Sequence, residues 1–600
     1  MARESGIERV CAVLDSSGDL KEDSDSICEV FARFYEDLYK ESIGVNNESQ
    51  AFSDHQTPVS IEDVVKALKR LRNKKAAAED GLVAEMLKTG HEGLINAIAA
   101  FLTDILNGSL EPPEDWKRVK LTLIFKNADP RMPKNYRPIS IIPVMAKLFS
   151  TILYEKIGAA IDAELDEEQF GFRRGRGCTD AVHIMRMVVE KSAEWGEELW
   201  VGALDVEKAF DKVHHSEVFA ALMDCQVDAN VVAALRKLYL DMHAYVCLWP
   251  GAESRCFDIQ RGVRQGDPLS PMLFNLVLNR VLSEVSVIWQ RRGYGTNIGK
   301  SIDGTRLTHV AFADDQTLVA RSWLSLKRMI SSLREALSRK GLSLHPSKSK
   351  VQTNSMDWHT RGMVTIEEGL VVEILPAGSG LKLLGTVLTL QGVTPAEIQN
   401  GVTAGWKMFW ASKRILQNQK ISLKRRMKLF DATVGSCVLW CAQSWTPRVE
   451  DLQCLETARR AMLRRMLGPS RLEGEEWTDW IKRVTRKVVA LASVCKVRNW
   501  SYAHAHAKWL WAGHVARMPG TTWAWKVTTW RDSEWNAWAM ESGAVRPLRP
   551  STRRWMKWEE TVRRHCASTG LGTWRTLASD RDAWRREADT FAKLSTELKE

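Results

Sequence analysis

RLTHVAFADDQTLVA (306–320) decides the fold: two short apolar runs, HVAF and TLVA, flank a pair of aspartates. Apolar runs on both sides of a polar break predict a β-hairpin with an acidic tip. A carboxylate at the end of a buried strand is costly unless it is paired or bound to a cation, and two adjacent carboxylates also repel each other. Asp205 shows the same anomaly at the end of LWVGALDV (199–206), a continuous apolar run that predicts a buried strand. A divalent cation would relieve both, and oxygen ligands suit Mg²⁺. Two such ions close together support in-line phosphoryl transfer, one activating a hydroxyl and the other stabilising the leaving pyrophosphate.

Outward from the hairpin, SLKRMISSLREALSRKGL places Leu326, Met329, Ile330, Leu333 and Leu337 on one helical face. KLTLIF (120–125) predicts a strand, residues 144–163 a helix, and KLLGTVLT (382–389) a short strand or hairpin. Ser60 and Asp63 form a capping box opening a helix with an apolar stripe over Ile61, Val64, Val65, Leu68 and Leu71. Ser270 and Pro271 mark another helix start. Beyond 395 the pattern is mostly helical, and RPLRPSTRR (546–554) predicts a linker.

The charge is uneven. Residues 401–600 hold 37 Lys/Arg against 19 Asp/Glu, a net +18, although the whole chain carries only +11. The same third holds 18 of the 25 tryptophans. Cations neutralise phosphates and indoles stack on bases, so this region is expected to contact nucleic acid. The eleven cysteines show no metal or redox spacing and are expected to be thiols in a reducing compartment. The start, MARESGIERV, is charged where a secretory signal needs an apolar core, and no long uncharged apolar run occurs. Neither secretion nor a membrane is expected.

ALDVEKAFDKV (203–213), GVRQGDPLSPMLFNLVL (262–278) and FADDQTLVA (312–320) follow one another in order. They resemble the three palm motifs of reverse transcriptases. Upstream, NYRPISIIPVMAKLFSTIL (135–153) and QFGFRRGRGCTDA (169–181) resemble the fingers motifs of non-LTR (LINE-type) retrotransposon enzymes. Downstream, GLSLHPSKSK (341–350) and LKLLGTVL (381–388) resemble the motifs that close the palm. KWLWAGHVARM (508–518) and WRTLASDRDAWR (574–585) resemble the ends of LINE-type proteins.

The resemblance implies an α+β right-hand polymerase with a helical, basic, Trp-rich C-terminal extension. The expected parts are a helical lead-in over 1–110, fingers and palm over 111–392, a helical thumb over 393–470 and the basic extension over 471–600. It implies an RNA-directed DNA polymerase that joins dNTPs to a primer 3′-hydroxyl on an RNA template, with two Mg²⁺ ions or Mn²⁺ in their place. Asp205, Asp314 and Asp315 would hold the metals with the carbonyl of Val206. Phe210 would stand at the steric gate against a ribose 2′-hydroxyl. Gln265 and Gly266 would line the nucleotide pocket, and Lys126 and Arg137 would hold the triphosphate. Lys348, or its neighbour Lys350, would protonate pyrophosphate. Arg173, Arg174 and Arg176 would track the template. The expected partners are RNA template, DNA primer or target DNA and dNTPs, in a nuclear or cytoplasmic ribonucleoprotein.

The sequence departs from its relatives in two places. KKAAAEDGL (74–82) has Ala78 and Glu79 where Gly and Pro are usual, and His345 replaces a usual Asn. About 110 residues precede the first fingers strand, and the tail lacks a Cys/His knuckle. The expectation is a chain without its endonuclease, from a degenerate copy or a split reading frame. Two other readings follow: a silent relic that only binds nucleic acid, and an intron-type maturase that shares the palm.

Overall fold

The computed structural model describes residues 10–41, 52–126, 128–298, 306–358, 360–391, 395–530 and 557–597. The expected linker at 546–554 lies outside these residues. The chain gathers into two interleaved units: residues 1–173, 206–285 and 332–344 in the first, and 174–205, 286–331 and 345–600 in the second. The palm motifs fall on both units.

The first unit is built on a sheet in the order Tyr136–Ile141, Arg118–Phe125, His243–Trp249, Ala252–Glu253, with Phe257–Asp258 also paired to His243–Trp249. Arg118–Phe125 runs antiparallel to Tyr136–Ile141, with Phe125 opposite Tyr136 and Ile124 opposite Arg137. The strand read from KLTLIF is thus present and two residues longer at its start. Pro143 precedes the helix Val144–Glu164, since its fixed φ suits a helix entry. That helix buries Leu148, Phe149, Ile152, Leu153, Ile157 and Ile161. Burying each such side chain stabilises by about 1.5–3 kcal/mol. The Ser60–Asp63 capping box forms at the start of Ile61–Arg70. The lead-in is no appendage: helix Ser24–Tyr39 buries Phe31 and Tyr35, and Phe31 meets Tyr136 edge-on at 5.1 Å.

The second unit holds a six-stranded sheet in the order His309–Phe312, Asp315–Ala320, Trp200–Asp205, Lys350–Thr353, Leu370–Pro376, Gly362–Glu367. All neighbours are antiparallel except Lys350–Thr353 with Leu370–Pro376. Val201, Leu318, Val319 and Val351 are fully buried, which is why the runs around the aspartates read as strands. The expected stripe of helix Trp323–Arg339 is buried at all five positions. The motif at 381–388 is a two-stranded hairpin, Leu381–Leu383 with Thr386–Leu388.

From Pro395 the unit is helical, and one core joins Ile398, Phe409, Met427, Leu455 and Met462 to Val484, Val488 and Trp500. The packing therefore runs through residue 470. The tail motifs pack against each other: the indoles of Trp509 and Trp584 stack at 3.9 Å and 7°, and Arg517 donates to the Ala578 carbonyl at 2.6 Å. Each ring N–H donates to the other residue's carbonyl, at 2.8 and 3.0 Å. Trp445, Trp500, Trp523, Trp558 and Trp574 are also buried. This corrects the expectation for most of the tryptophan-rich region: these indoles are core, because an aromatic ring removed from water contributes more than one left on the surface. Among the described residues one helix, Ser270–Arg291, is long and apolar enough to cross a membrane, and most of it is buried inside the protein.

Candidate functional site

The second unit brings two of the three predicted acids face to face. Asp315 and Asp205 are direct cross-strand partners at one end of the sheet. Such partners hold their Cβ atoms about 4.5–5.5 Å apart. Phe312 pairs with Asp315, so Ala313 and Asp314 form a two-residue turn that sets Asp314 beside the pair. Ala313 adopts φ 54°, a left-handed conformation that costs a residue with a Cβ roughly 1–2 kcal/mol. The buried side chain of Gln316 holds this turn, its Nε2 donating to the Ala313 carbonyl at 2.7 Å. Sequence reading gave Gln316 no role. Its polar amide in an apolar strand was the available signal.

Like charges crowd this end of the sheet. Lost hydration raises the carboxyl of Asp315 to about 6, and repulsion from Asp314 and Asp205 adds to it. The residue still reaches solvent, so a cation can reach it. The Nζ of Lys348 donates to Asp205 Oδ2 at 3.1 Å, which places one ammonium on the acid group. Lys350, left open as an alternative, pairs instead with Glu373 at 2.7 Å. The backbone N–H of His345 donates to the Asp205 carbonyl at 2.8 Å, so the departure from Asn leaves that link intact.

Val206 forms an isolated antiparallel bridge with Leu344, and the Glu207 N–H donates to the Ser343 carbonyl. In such a pair the bonds come from flanking residues, so the Val206 carbonyl points to the opposite edge. Among the described residues no group of three or more His, Cys, Asp or Glu is already closed around a metal-sized gap. The fit to a divalent cation rests instead on the donor set: hard carboxylate oxygens, mutually repelling, aligned by strand register.

The first unit holds the other predicted residues. Phe210 stacks on Phe274 at 4.7 Å and meets Phe172 edge-on at 6.3 Å, so its ring is fixed from two sides. Gln265 donates through Nε2 to Asp211 at 2.7 Å, and its carbonyl accepts from the Ser140 N–H at 2.8 Å. Gly266 has φ 119°, and a Cβ there would stand 2.9 Å from the Ser140 carbonyl, so no other residue fits this turn. Asp267 locks the loop by accepting from Ser150 and Leu269 and pairing with Arg264 at 3.3 Å. Asp211, missed in the sequence, also accepts from Tyr39, and burial pushes its carboxyl up. Lys126 and Lys208 lie near enough to draw it back down. Arg137 is exposed on its strand, and Lys126 is exposed just beyond the end of the neighbouring one.

Arg173 departs from expectation. Its guanidinium bonds Asp162 at 2.8 Å and the carbonyls of Asp162, Asp166 and Gln169, so it ties its own loop and is nearly buried. Arg174 is exposed and Arg176 half-buried, both on the second unit. Glu79, the other departure, pairs with Arg118 at 3.3 Å and accepts from the Tyr245 hydroxyl. In the first unit a cavity of about 690 Å³ is lined by Arg72, Lys75, Lys147, Tyr154, Phe172 and Gly266, among others.

Residues 124–386 match the family described as reverse transcriptase (RNA-dependent DNA polymerase). The chain is 32% identical over 237 residues to a Pol polyprotein from the type-1 retrotransposable element R2 of Popillia japonica, covering 40% of this chain and 32% of that one. It is 28% identical to a probable RNA-directed DNA polymerase from transposon X-element of Drosophila melanogaster, covering 55% and 35%. The chain thus spans about a third of the length of these relatives. Among solved structures, telomerase from Candida albicans aligns over 64% of each chain at 12% identity, with a TM-score of 0.33.

Proposed function

We propose that this chain, whose residues 124–386 match the reverse transcriptase family, is an RNA-directed DNA polymerase of the non-LTR retrotransposon type with a right-hand fold. The register that sets Asp205 against Asp315, with Asp314 in the adjoining turn, carries the proposal. Asp205, Asp314, Asp315 and the Val206 carbonyl would hold two divalent cations. When bound, these would activate a primer 3′-hydroxyl and neutralise the leaving pyrophosphate. Lys348, already at Asp205, is placed to give a proton to the pyrophosphate, and the ammonium is otherwise a fixed counter-charge.

Phe210, clamped by two rings, would exclude a ribose 2′-hydroxyl and so select dNTPs. Asp211 fixes the amide of Gln265 by accepting from it, which leaves the amide oxygen directed by a hydrogen bond rather than free to rotate. Lys126 and Arg137 supply positive charge for a triphosphate. The cavity, largely aliphatic but carrying four cations and two aromatic rings, would take a single strand of template RNA, with Lys75 and Lys147 on phosphates and Tyr154 beside the bases.

Primer extension on an RNA template with dNTPs and Mg²⁺ tests this reading, with wild type beside Asp314→Asn/Asp315→Asn. Extension by wild type alone is expected. A folded wild type that binds RNA and extends nothing overturns the reading in favour of a silent nucleic-acid binder.

A further inference from the structure

The segment Pro395–Phe430 holds eight Lys/Arg and a single acid, Glu397, which is buried against Arg186. One of the eight, Arg426, is also internal, bonding the carbonyls of Leu416, Ile421 and Met466. The rest stand on the surface. Within this cationic surface two tryptophans are not fully buried. Trp406 and Trp410, one turn apart on helix Pro395–Ala411, stack with centroids 6.1 Å apart and planes at 22°. Trp410 is 48% exposed. Cations continue the series at both ends: the Arg465 guanidinium lies 5.0 Å over Trp406, and the Lys413 ammonium 5.7 Å over Trp410.

The support is rigid. Phe409, Leu416 and Met427 beneath it are fully buried, and Gln417 donates to the Arg465 carbonyl at 3.0 Å, which joins the two helical segments that carry the cations. An indole left half in water on a well-packed helix forgoes burial that its neighbours obtain. Its flat face, bordered by positive charge, matches a stacked base with its phosphate. A duplex keeps its bases stacked on each other, so only an unpaired strand can use this surface.

We propose that Trp406 and Trp410, with Lys413 and Arg465, form a stacking platform for an unpaired nucleic-acid segment, separate in function from the acid turn. One base stacks on the open face of Trp410. Lys413, on its flexible stem, turns to the adjoining phosphate, and Arg465 holds Trp406 in place as the second tier. The proposal does not depend on polymerase activity, so it is tested without it.

Fluorescence anisotropy of the full chain is measured in EDTA without dNTPs, with labelled oligoadenylate of about fifteen nucleotides as RNA, as DNA, and as a blunt duplex. Stacking on one aromatic supports an expected loss of about tenfold in single-strand affinity for Trp410→Ala. Trp410→Phe should keep most of the affinity, since a phenyl ring still stacks. Lys413→Gln should lower the salt slope by about 0.7, the value for one phosphate contact on a single strand. Duplex affinity should stay unchanged in Trp410→Ala. Loss on both single strands identifies the shared base-and-phosphate chemistry, and loss on one alone assigns the site to that strand. Wild-type single-strand affinity in Trp410→Ala, with an unchanged Tm, overturns the proposal, as does an equal loss on the duplex.

Discussion

The acid turn and the tryptophan-rich tail both drew attention in the sequence through residues that are expensive to place, and the structure treats them in opposite ways. At the acid turn the expense remains: Ala313 is left-handed, Asp315 is raised to about 6, and its neighbours repel it. In the tail the expense is removed at one pair of rings. Trp509 and Trp584 satisfy each other's ring N–H and stack, and the surrounding indoles are buried. A costly group that the fold crowds with like charge marks a candidate ligand site. A costly group whose partners are all internal points to stability. The same criterion separates the exposed Trp410 from the buried Trp509 and Trp584, and Arg173 from the more accessible Arg174.

The largest expected effect breaks the comparison at the acid turn. Asp205→Ala, or Asp314→Asn/Asp315→Asn, should lower primer extension by at least about a thousandfold, or roughly 4 kcal/mol of barrier. Tm should not fall, because the changes remove like charges. A residual rate within tenfold of wild type would mean the acids are not the reacting centre. Next in size is a substitution in the tail. A Cβ at Gly513 would lie 2.2 Å from Trp584 Nε1, so Gly513→Ala must displace the stacked ring. A destabilisation of about 3 kcal/mol is expected from this overpacking. Denaturant unfolding measures it, and extension per folded molecule should be unchanged. An unaltered midpoint would show that the Trp509–Trp584 stack is not what holds the tail.

What the sequence made legible was local. The hairpin around Asp314, the strand ending at Asp205 and the stripe Leu326–Leu337 each follow from a periodicity contained within a few residues, and each is present. What it hid depends on distant partners. Tyr39 and Asp211 stand 172 positions apart, and Gln265 reaches Asp211 across 54, so no pattern joins them before the chain folds. Arg173 lies in a glycine–arginine run that suggests a solvent-facing loop. Its partner Asp162 sits on the preceding helix, where spacing alone does not reveal it. The tail misled for a compositional reason. Basic residues between tryptophans fit a nucleic-acid surface and a helical core equally well, and only burial separates them.

A smaller effect sharpens the contrast inside the first unit. Phe210 has ring partners on two sides, as a core residue would, yet it remains partly open. Phe210→Ala should raise the use of ribonucleotides relative to dNTPs by about ten- to a hundredfold, the range for a steric contact worth about 1–3 kcal/mol. Competition between a dNTP and its ribonucleotide on one template measures the ratio. Unchanged discrimination with lower Tm would class this ring with the buried tryptophans instead.

The smallest effect concerns protons. Asp315 has its carboxyl at about 6 in the folded chain, against 3.8 for the ordinary group. The folded state therefore binds the proton more tightly than the unfolded one, and stability from this residue falls as pH rises from about 4 to about 6. In metal-free protein, Asp315→Asn should abolish that slope and leave the variant slightly more stable than wild type at pH 7, with the difference vanishing at pH 4. Adding Mg²⁺ should reverse the order at pH 7, because a cation bound to the charged carboxylates stabilises wild type by mass action and the variant much less. Thermal unfolding at the two pH values, with and without Mg²⁺, reads all four arms. If Mg²⁺ raises Tm equally in wild type and Asp315→Asn, the crowded charge at the turn is not a metal site, and the contrast with the satisfied tail loses its functional meaning.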